Sequence, residues 1–243
     1  MPASAITLSF MSANYVAREL GYGAADEWGP FDAATAAAFE PLGTFEAHFD
    51  AMLEPIGAAG FDAIDLWFGH LDWRWATPEH VAIARETLDR RGIRLVSLAG
   101  SILTTNRGQV GSVLRAHGVR FALENHPERT PSEVLEAIGD EGALGVAVDT
   151  GWWATQGYDP VAAIHELSDR LFHVHLKDVE EPGTHVTCMH GEGCARISDC
   201  VGALIDIGYA GPVSIEHHSF DRDPTPECAR ALTMVREQLA IHV

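Results

Sequence analysis

The strongest constraint on the fold of this chain is a regular alternation of two kinds of segment. Short apolar runs rich in β-branched residues are followed by longer amphipathic stretches, and this cycle repeats along the 243 residues. Parallel strands need a long crossover between them, so the alternation predicts repeated βα units around a parallel sheet. The predicted strands are residues 6–10, 63–68, 95–99, 120–126, 145–150, 171–178 and 212–217.

Helix-like patterns fill the intervals between these strands. Glycine directly follows several of the patterns, for example at Gly60, Gly92 and Gly208, where it suits the left-handed position that ends a helix. The predicted helices are residues 44–59, 78–91, 109–117, 131–138, 160–168, 198–207 and 225–240.

The strand count is one short of the eight units of a complete α/β barrel. The stretch 101–108 follows the third strand and is too short to hold both a helix and a strand. We therefore expect one TIM-type (β/α) barrel domain over residues 1–243 with seven units. Either the unit is naturally missing, or a longer relative has a segment that this chain lacks. The stretch 11–39, rich in glycine, is interpreted as a long first βα loop of the kind that builds active sites.

Composition narrows the classes of partner. The formal net charge is -19, from 16 basic and 35 acidic side chains, which repels the phosphates of nucleic acid. No apolar run is long enough for a membrane span and no basic, apolar leader is visible at the N-terminus, so we expect a soluble, cytoplasmic protein. The four cysteines form no CxxC pair and are interpreted as reduced thiols.

Ionisable side chains interrupt the apolar pattern where strands end. Glu124, Asp149 and Glu216 lie in otherwise apolar strands, and His175 shares a strand face with His173 and Lys177. Buried carboxylates are costly unless they are paired or bound to metal. The alternative is a set of helix-capping or salt-bridged carboxylates. We predict one divalent cation at these four residues; the oxygen-rich set favours Mn²⁺ and is compatible with Mg²⁺, Co²⁺ or Zn²⁺.

Four motifs resemble those of xylose-isomerase-like barrels, the family of sugar isomerases, ketose 3-epimerases and inosose dehydratases. They are FALENHPE at 121–128, VAVDTGWW at 146–153, FHVHLKD at 172–178 and GYAGPVSIEHH at 208–218. The resemblance extends over nearly the whole chain. It implies that Glu124, Asp149, His175 and Glu216 bind the metal, which are the four residues selected by the strand argument.

Two positions depart from this family pattern. Trp152 stands three residues after the metal-binding aspartate, where the family often has a substrate-contacting histidine. The stretch 179–181 is Val-Glu-Glu where ketose epimerases have an arginine. We predict substrate contacts from His126, Trp152, Lys177, His185, His218, Trp67 and His70. Each has a structural alternative as a core aromatic, a hydrogen-bonded residue or a loop residue, and the same holds for Asp65, His173 and Trp153.

The leading functional hypothesis is a metal-dependent sugar isomerase or epimerase that removes a proton next to a carbonyl, with Glu124 and Glu216 as acid and base. A lyase on a keto sugar, of dehydratase or C-glycoside deglycosidase type, is the alternative that the two departures favour, with His126 or His185 as base. An endonuclease IV-like repair enzyme and a non-catalytic binding module rank lower. We expect a small carbohydrate substrate, a homo-oligomer that covers the exposed strand edges and, as an alternative, a small partner subunit.

Overall fold

A computed structural model describes residues 6–23, 28–101 and 107–241 of the chain. Its strands are β1 Thr7–Met11, β2 Ala63–Trp67, β3 Arg94–Ala99, β4 Phe121–Glu124, β5 Leu144–Asp149, β6 Leu171–Leu176 and β7 Pro212–Ile215. Its α-helices are α1 Trp28–Phe39, α2 Leu42–Ala58, α3 Pro78–Arg91, α4 Arg107–His117, α5 Pro131–Ile138, α6 Thr150–Thr155, α7 Pro160–Glu166, α8 Ile197–Asp206 and α9 Thr225–Ile241. Short 3-10 helices occur at Ser12–Tyr15, Arg18–Leu20, Phe68–His70 and Ser168–Arg170.

The chain divides into two compact units. The first unit comprises Met1–Thr7, Ser101–Val213 and Met234–Val243, and the second comprises Leu8–Gly100 and Ser214–Thr233. Strand β7 contributes its first half to the first unit and its second half to the second unit.

The second unit is built on strands in the order β3-β2-β1-β7. Strand β2 is parallel to both β1 and β3, and Ile64 pairs with Phe10 on one side and Leu95 on the other. Helix α2 buries one face at helical spacing, with Phe45, Phe49, Met52, Leu53 and Ile56 fully buried. Each such side chain contributes about 1.5–3 kcal/mol by leaving water.

Helix α3 carries clear signals for its start and its end in the local sequence. Thr77 and His80 form a reciprocal capping box at its start, and Pro78 occupies the first helical position. Gly92 ends the helix in the left-handed conformation with φ 66°. The helix therefore begins and ends at the residues that the sequence predicts.

The first unit has the strand order β7-β6-β5-β4. Strand β5 is parallel to β4 and β6 and is buried along its whole length, as expected for a parallel strand that is covered on both faces. Its register pairs Ala147 with Glu124 of β4, and Asp149 with His175 of β6. The predicted ligands thus lie at one end of three adjacent strands.

All seven predicted strands and all seven predicted helices are present, with ends shifted by a few residues. The seven-unit TIM-type (β/α) fold class is therefore confirmed for the described residues. The interpretation of 11–39 as a loop is wrong, because α1 and two 3-10 helices lie there. Helix α1 was missed because its alanine-rich sequence has little polar alternation to mark a periodic face.

The predicted gap at 101–108 falls mostly outside the described residues, which stop at 101 and resume at 107. Strand β3 precedes this stretch and is poorly covered, with Leu95 and Leu98 exposed by 46% and 63%. Among the residues described, no helix combines the length and apolar character that crossing a bilayer requires. All four cysteines are free thiols.

Candidate metal site

Three of the four predicted metal ligands converge within the first unit. Glu124 ends β4, Asp149 ends β5, and His175 is the penultimate residue of β6. Each offers a ligand atom that lies within 4.8 Å of those of the other two. Adjacent parallel strands present their C-terminal residues along one edge, so this convergence follows from the strand order.

The Glu124 carboxylate lies between two imidazoles. Its Oε1 is 2.7 Å from Nδ1 of His175, and its Oε2 is 3.3 Å from Nδ1 of His126. Neighbouring ligand atoms of an octahedral ion with bonds of about 2.1 Å lie about 3 Å apart. The Glu124–His175 spacing therefore fits two ligands of one cation once the imidazole proton between them is released.

Asp149 is fully buried and held on several sides. Its Oδ1 accepts a hydrogen bond from the backbone N–H of Trp152 at 3.0 Å and so caps helix α6. Its Oδ2 lies 3.8 Å from Nζ of Lys177. A hard divalent ion suits this donor set of two carboxylates and one imidazole.

Lys177 is brought to the site by its backbone contacts with Thr150. The Thr150 hydroxyl donates to the carbonyl of Lys177 at 2.7 Å and accepts from its N–H at 2.9 Å. A Cβ built on Gly151 would lie 2.7 Å from the Lys177 side chain, so glycine makes room for this lysine. Lys177 is only 9% exposed.

Trp152 packs against two histidines, with its ring tilted relative to both of theirs. Its ring centroid is 4.6 Å from that of His126 and 4.3 Å from that of His185. His185 lies in the loop after β6, and this loop is anchored to helix α6 by two hydrogen bonds. The Thr155 hydroxyl donates to the carbonyl of Thr184, and the Thr155 carbonyl accepts from the N–H of Gly183. Partial burial and the nearby charges of Lys177 and His126 lower the pKa of His185.

The fourth predicted ligand, Glu216, lies in the second unit directly after β7. It is 3% exposed, and its Oε1 is 3.3 Å from Nε2 of His218. The ring of His218 contacts Trp28 edge-on at 5.4 Å, and Trp28 also approaches Phe220. Trp28 is 43% exposed and was missed from the sequence because residues 11–39 were interpreted as a loop.

Trp67 and His70 lie in the interior of the second unit. His70 is 1% exposed, contacts the Ser12 hydroxyl at 3.1 Å and packs against Phe39 and Trp67. Trp67 is 6% exposed and donates its backbone N–H to Ser12. This environment favours a structural role for His70, and its predicted substrate contact stays a prediction.

For three further residues, Asp65, His173 and Trp153, the sequence allowed either a functional or a structural role, and each has close contacts within the protein. Asp65 is buried and accepts a hydrogen bond from Ser214 at 3.0 Å. His173 packs edge-on against His175, with ring centroids 5.0 Å apart. Trp153 is fully buried against Tyr158, so it belongs to the core and does not line the site.

The burial of His70 predicts a stability that depends on pH. Desolvation, with a smaller contribution from the charge of Arg18, lowers the pKa of His70 from 6.5 to about 3. Below pH 6.5 the imidazole of His70 is protonated in the unfolded state but stays neutral in the folded state. The contribution of His70 to the free energy of unfolding is therefore fully present above pH 6.5 and falls as the pH is lowered towards 3. We expect a loss of about 2 kcal/mol between pH 6.5 and 5 from this residue.

Thermal melts of wild type and His70→Asn between pH 5 and 8 test this expectation. The variant should melt at a lower temperature at pH 8 and should show a flatter decline towards pH 5. Parallel declines in the two proteins would contradict a neutral, buried His70.

Comparison with known proteins places these features in a family. Residues 103–238 match the family model described as xylose isomerase-like TIM barrel. Over 98 residues the chain is 28% identical to an inosose dehydratase from Geobacillus kaustophilus; the match covers 34% of this chain and 32% of that protein. The chain thus spans about a third of the length of this curated relative.

Solved structures share the fold at low sequence identity. A D-tagatose 3-epimerase-like protein superposes with a TM-score of 0.64 at 18% identity, covering 78% of this chain and 92% of the other. A D-allulose 3-epimerase from Methylomonas sp. gives 0.63 at 15%, covering 97% and 98%. A probable 3-DHS dehydratase from Bacillus anthracis gives 0.59 at 12%, covering 95% and 99%. Since the family model matches more than half of the chain, this protein belongs to the xylose isomerase-like TIM barrel family.

Proposed function

We propose that this protein is a divalent-metal-dependent enzyme that removes a proton next to the carbonyl of a keto sugar and returns it as an isomerase or epimerase. The observation that carries this proposal is the group of Glu124, Asp149 and His175 at three adjacent strand ends. Two buried or half-buried carboxylates and an imidazole are costly to assemble without a cation. Mn²⁺ is the ion we favour, since oxygen donors outnumber nitrogen.

Glu216 is proposed as the fourth ligand. It follows β7, which neighbours β6 in the strand order of the first unit, and its carboxylate is buried. The pattern Glu-x-His occurs at both glutamates, and in each case the histidine ring nitrogen lies 3.3 Å from the carboxylate. This repetition supports equivalent roles for Glu124 and Glu216.

A bound divalent cation would polarise the substrate carbonyl and stabilise negative charge on its oxygen. One glutamate accepts the proton from the adjacent carbon, and the electron pair of that C–H bond enters the new carbon–carbon double bond. The other glutamate donates a proton to the opposite face, which inverts the carbon. The ammonium of Lys177, close to Asp149, adds positive charge beside the developing oxyanion.

A dehydratase is the second candidate, and Trp152 favours it. The indole is packed between His126 and His185, and Nδ1 of His126 lies 3.3 Å from the Glu124 carboxylate. After proton removal, a histidine of lowered pKa such as His185 could relay a proton to a departing hydroxyl, with water as the product. The match to an inosose dehydratase points the same way. A C-glycoside deglycosidase would follow the same elimination.

Nucleic-acid repair receives less support. A net charge of -19 disfavours a DNA ligand. We also propose a cytoplasmic homo-oligomer; the exposed Leu95 and Leu98 on strand β3 support an assembly, since exposed apolar edges are commonly covered. A small partner subunit would serve the same purpose.

Product mass distinguishes the two chemistries. We expect the metal-loaded protein to convert at least one member of a panel of keto sugars and inososes to a product of unchanged mass, separable from the substrate by chromatography. Loss of one water from the substrate would instead identify the dehydratase. Glu124→Gln is the control, because it removes a proposed metal ligand that is also one of the two proposed acid–base groups, and it should abolish either product. Conversion of no substrate by fully metal-loaded protein would refute the enzymatic proposal for this panel.

A further inference from the structure

Two buried asparagines hold the strand ends that carry proposed ligands. Asn14 is fully buried after β1, in the second unit. Its Oδ1 accepts the backbone N–H of His217 at 2.8 Å, and its Nδ2 donates to the carbonyl of Ile215 at 3.1 Å. Both backbone groups flank Glu216, so one amide fixes the peptide on either side of that residue.

Asn125 does the same for Asp149 in the first unit. Its Oδ1 accepts the N–H of Asp149 at 2.8 Å, and its Nδ2 donates to the Asp149 carbonyl at 3.1 Å. The side chain is fully buried. The residue is also the immediate neighbour of Glu124, so it links the backbone of one proposed ligand to that of another.

These contacts continue the sheet beyond its regular ladder. A primary amide offers one acceptor and two donors, and so it can reproduce the N–H and C=O pair that a neighbouring strand would present. Strand β7 ends at Ile215 and β5 at Asp149, where ladder pairing stops and the backbone would otherwise gain freedom. The two amides remove that freedom at the residues whose side-chain direction matters for coordination.

We propose that Asn14 and Asn125 are positioning residues that set the affinity of the metal site by fixing the backbone of Glu216 and Asp149. This inference rests on the proposed function, since it assumes that these carboxylates bind a cation. Groups that orient metal ligands commonly control affinity by about 10- to 100-fold. In this inference the asparagines act through the backbone that they hold and not as ligands of the cation.

The test uses Asn14→Leu and Asn125→Leu, which keep similar volume and remove every hydrogen bond of each amide, including the contact of Asn14 Nδ2 with Cys228 Sγ at 3.3 Å. Binding of Mn²⁺ to metal-free protein is followed by electron paramagnetic resonance of the free ion. We expect dissociation constants about 10- to 100-fold above wild type for each variant. Tyr209→Phe is the matched control: it deletes a hydrogen bond to the backbone of β7, but at Pro212, the start of the strand. It should bind as wild type does.

A second readout does not involve metal. In the metal-free protein, amide exchange of His217 should accelerate in Asn14→Leu and that of Asp149 in Asn125→Leu, while the control changes neither. If a leucine variant fails to fold, the aspartate variants Asn14→Asp and Asn125→Asp replace it, since aspartate keeps the acceptor and loses the donor.

The outcomes separate the two proposals. Wild-type protein that binds no Mn²⁺ at millimolar concentration would remove the proposed metal function. Wild-type binding with unchanged affinity in folded asparagine variants would overturn the positioning inference alone. Weakened binding together with faster exchange confined to the amides of His217 and Asp149 would support the inference, since a general loss of stability would accelerate exchange at other amides of the same variant as well.

Discussion

The protein should lose its divalent ion when any one of the four proposed ligands is replaced. The variants are Glu124→Gln, Asp149→Asn, His175→Ala and Glu216→Gln. Elemental analysis of wild type should find about one ion per chain, and each variant should retain less than about a tenth of that amount, since loss of one ligand weakens a site strongly. The reason is the small donor set: three ligand atoms lie within 4.8 Å of one another in the first unit, and each fills a coordination position.

The choice of variants limits the effects on folding. Asparagine caps helices as well as aspartate does, so Asp149→Asn can retain the hydrogen bond from the Trp152 N–H. Glu136→Gln is the matched control, because it removes the same charge from an exposed position on helix α5 of the first unit. Full metal content in two of the four ligand variants would rule out this site. Equal loss in Glu136→Gln would point to a general charge effect.

The fold was predictable because its pattern is repeated. Each βα unit carries the same apolar and amphipathic signature, and glycine or proline marks many of the helix ends. Helix α3 begins and ends at the predicted residues because its capping box and C-terminal glycine are local signals. Helix α1 was missed because alanine forms helices without a clear polar face, and its burial depends on contacts far along the chain, such as Phe31 against Phe220.

The ligand candidates were predictable for an energetic reason. A carboxylate inside an apolar strand needs a partner, and this need is visible in the sequence without any knowledge of the partner. The strand register then brings Glu124, Asp149 and His175 together in the first unit, as expected for adjacent parallel strands. The fourth assignment, Glu216, and the catalytic roles of both glutamates stay predictions.

The supporting residues could not be predicted with the same ease. Asn14 is distant in sequence from the backbone that it holds, and an isolated asparagine after a strand resembles a turn residue. His70 and Trp153 follow strands, as substrate-contacting residues commonly do, yet both are buried in the core. Periodicity places a residue near a strand end, but whether its side chain faces a cavity or the interior depends on packing that the sequence does not state.

Deuterium from the solvent should enter the carbon next to the carbonyl when the wild-type protein turns over an accepted keto sugar in deuterium oxide. A glutamate that removes a proton holds it as a carboxylic acid, and such a proton exchanges with water or with a neighbouring imidazole before it returns. His126 and His218 lie 3.3 Å from the two glutamates and offer that exchange path. Direct transfer of hydride between two carbons would keep the original hydrogen in the product.

Glu216→Gln should reduce incorporation by about 100- to 10,000-fold, the usual contribution of a general base, even when excess Mn²⁺ keeps its metal site occupied. Glu136→Gln again serves as the control and should incorporate deuterium at the wild-type rate.

Mass spectrometry measures the incorporated deuterium, and proton NMR locates it in the molecule. The same measurement covers a dehydratase, since reversible proton removal labels the remaining substrate before water is lost. Product and recovered substrate that both retain all of their original hydrogen would exclude Glu124 and Glu216 as acid and base. Label that persists in Glu216→Gln would instead assign the base to Glu124 or to an imidazole beside Trp152.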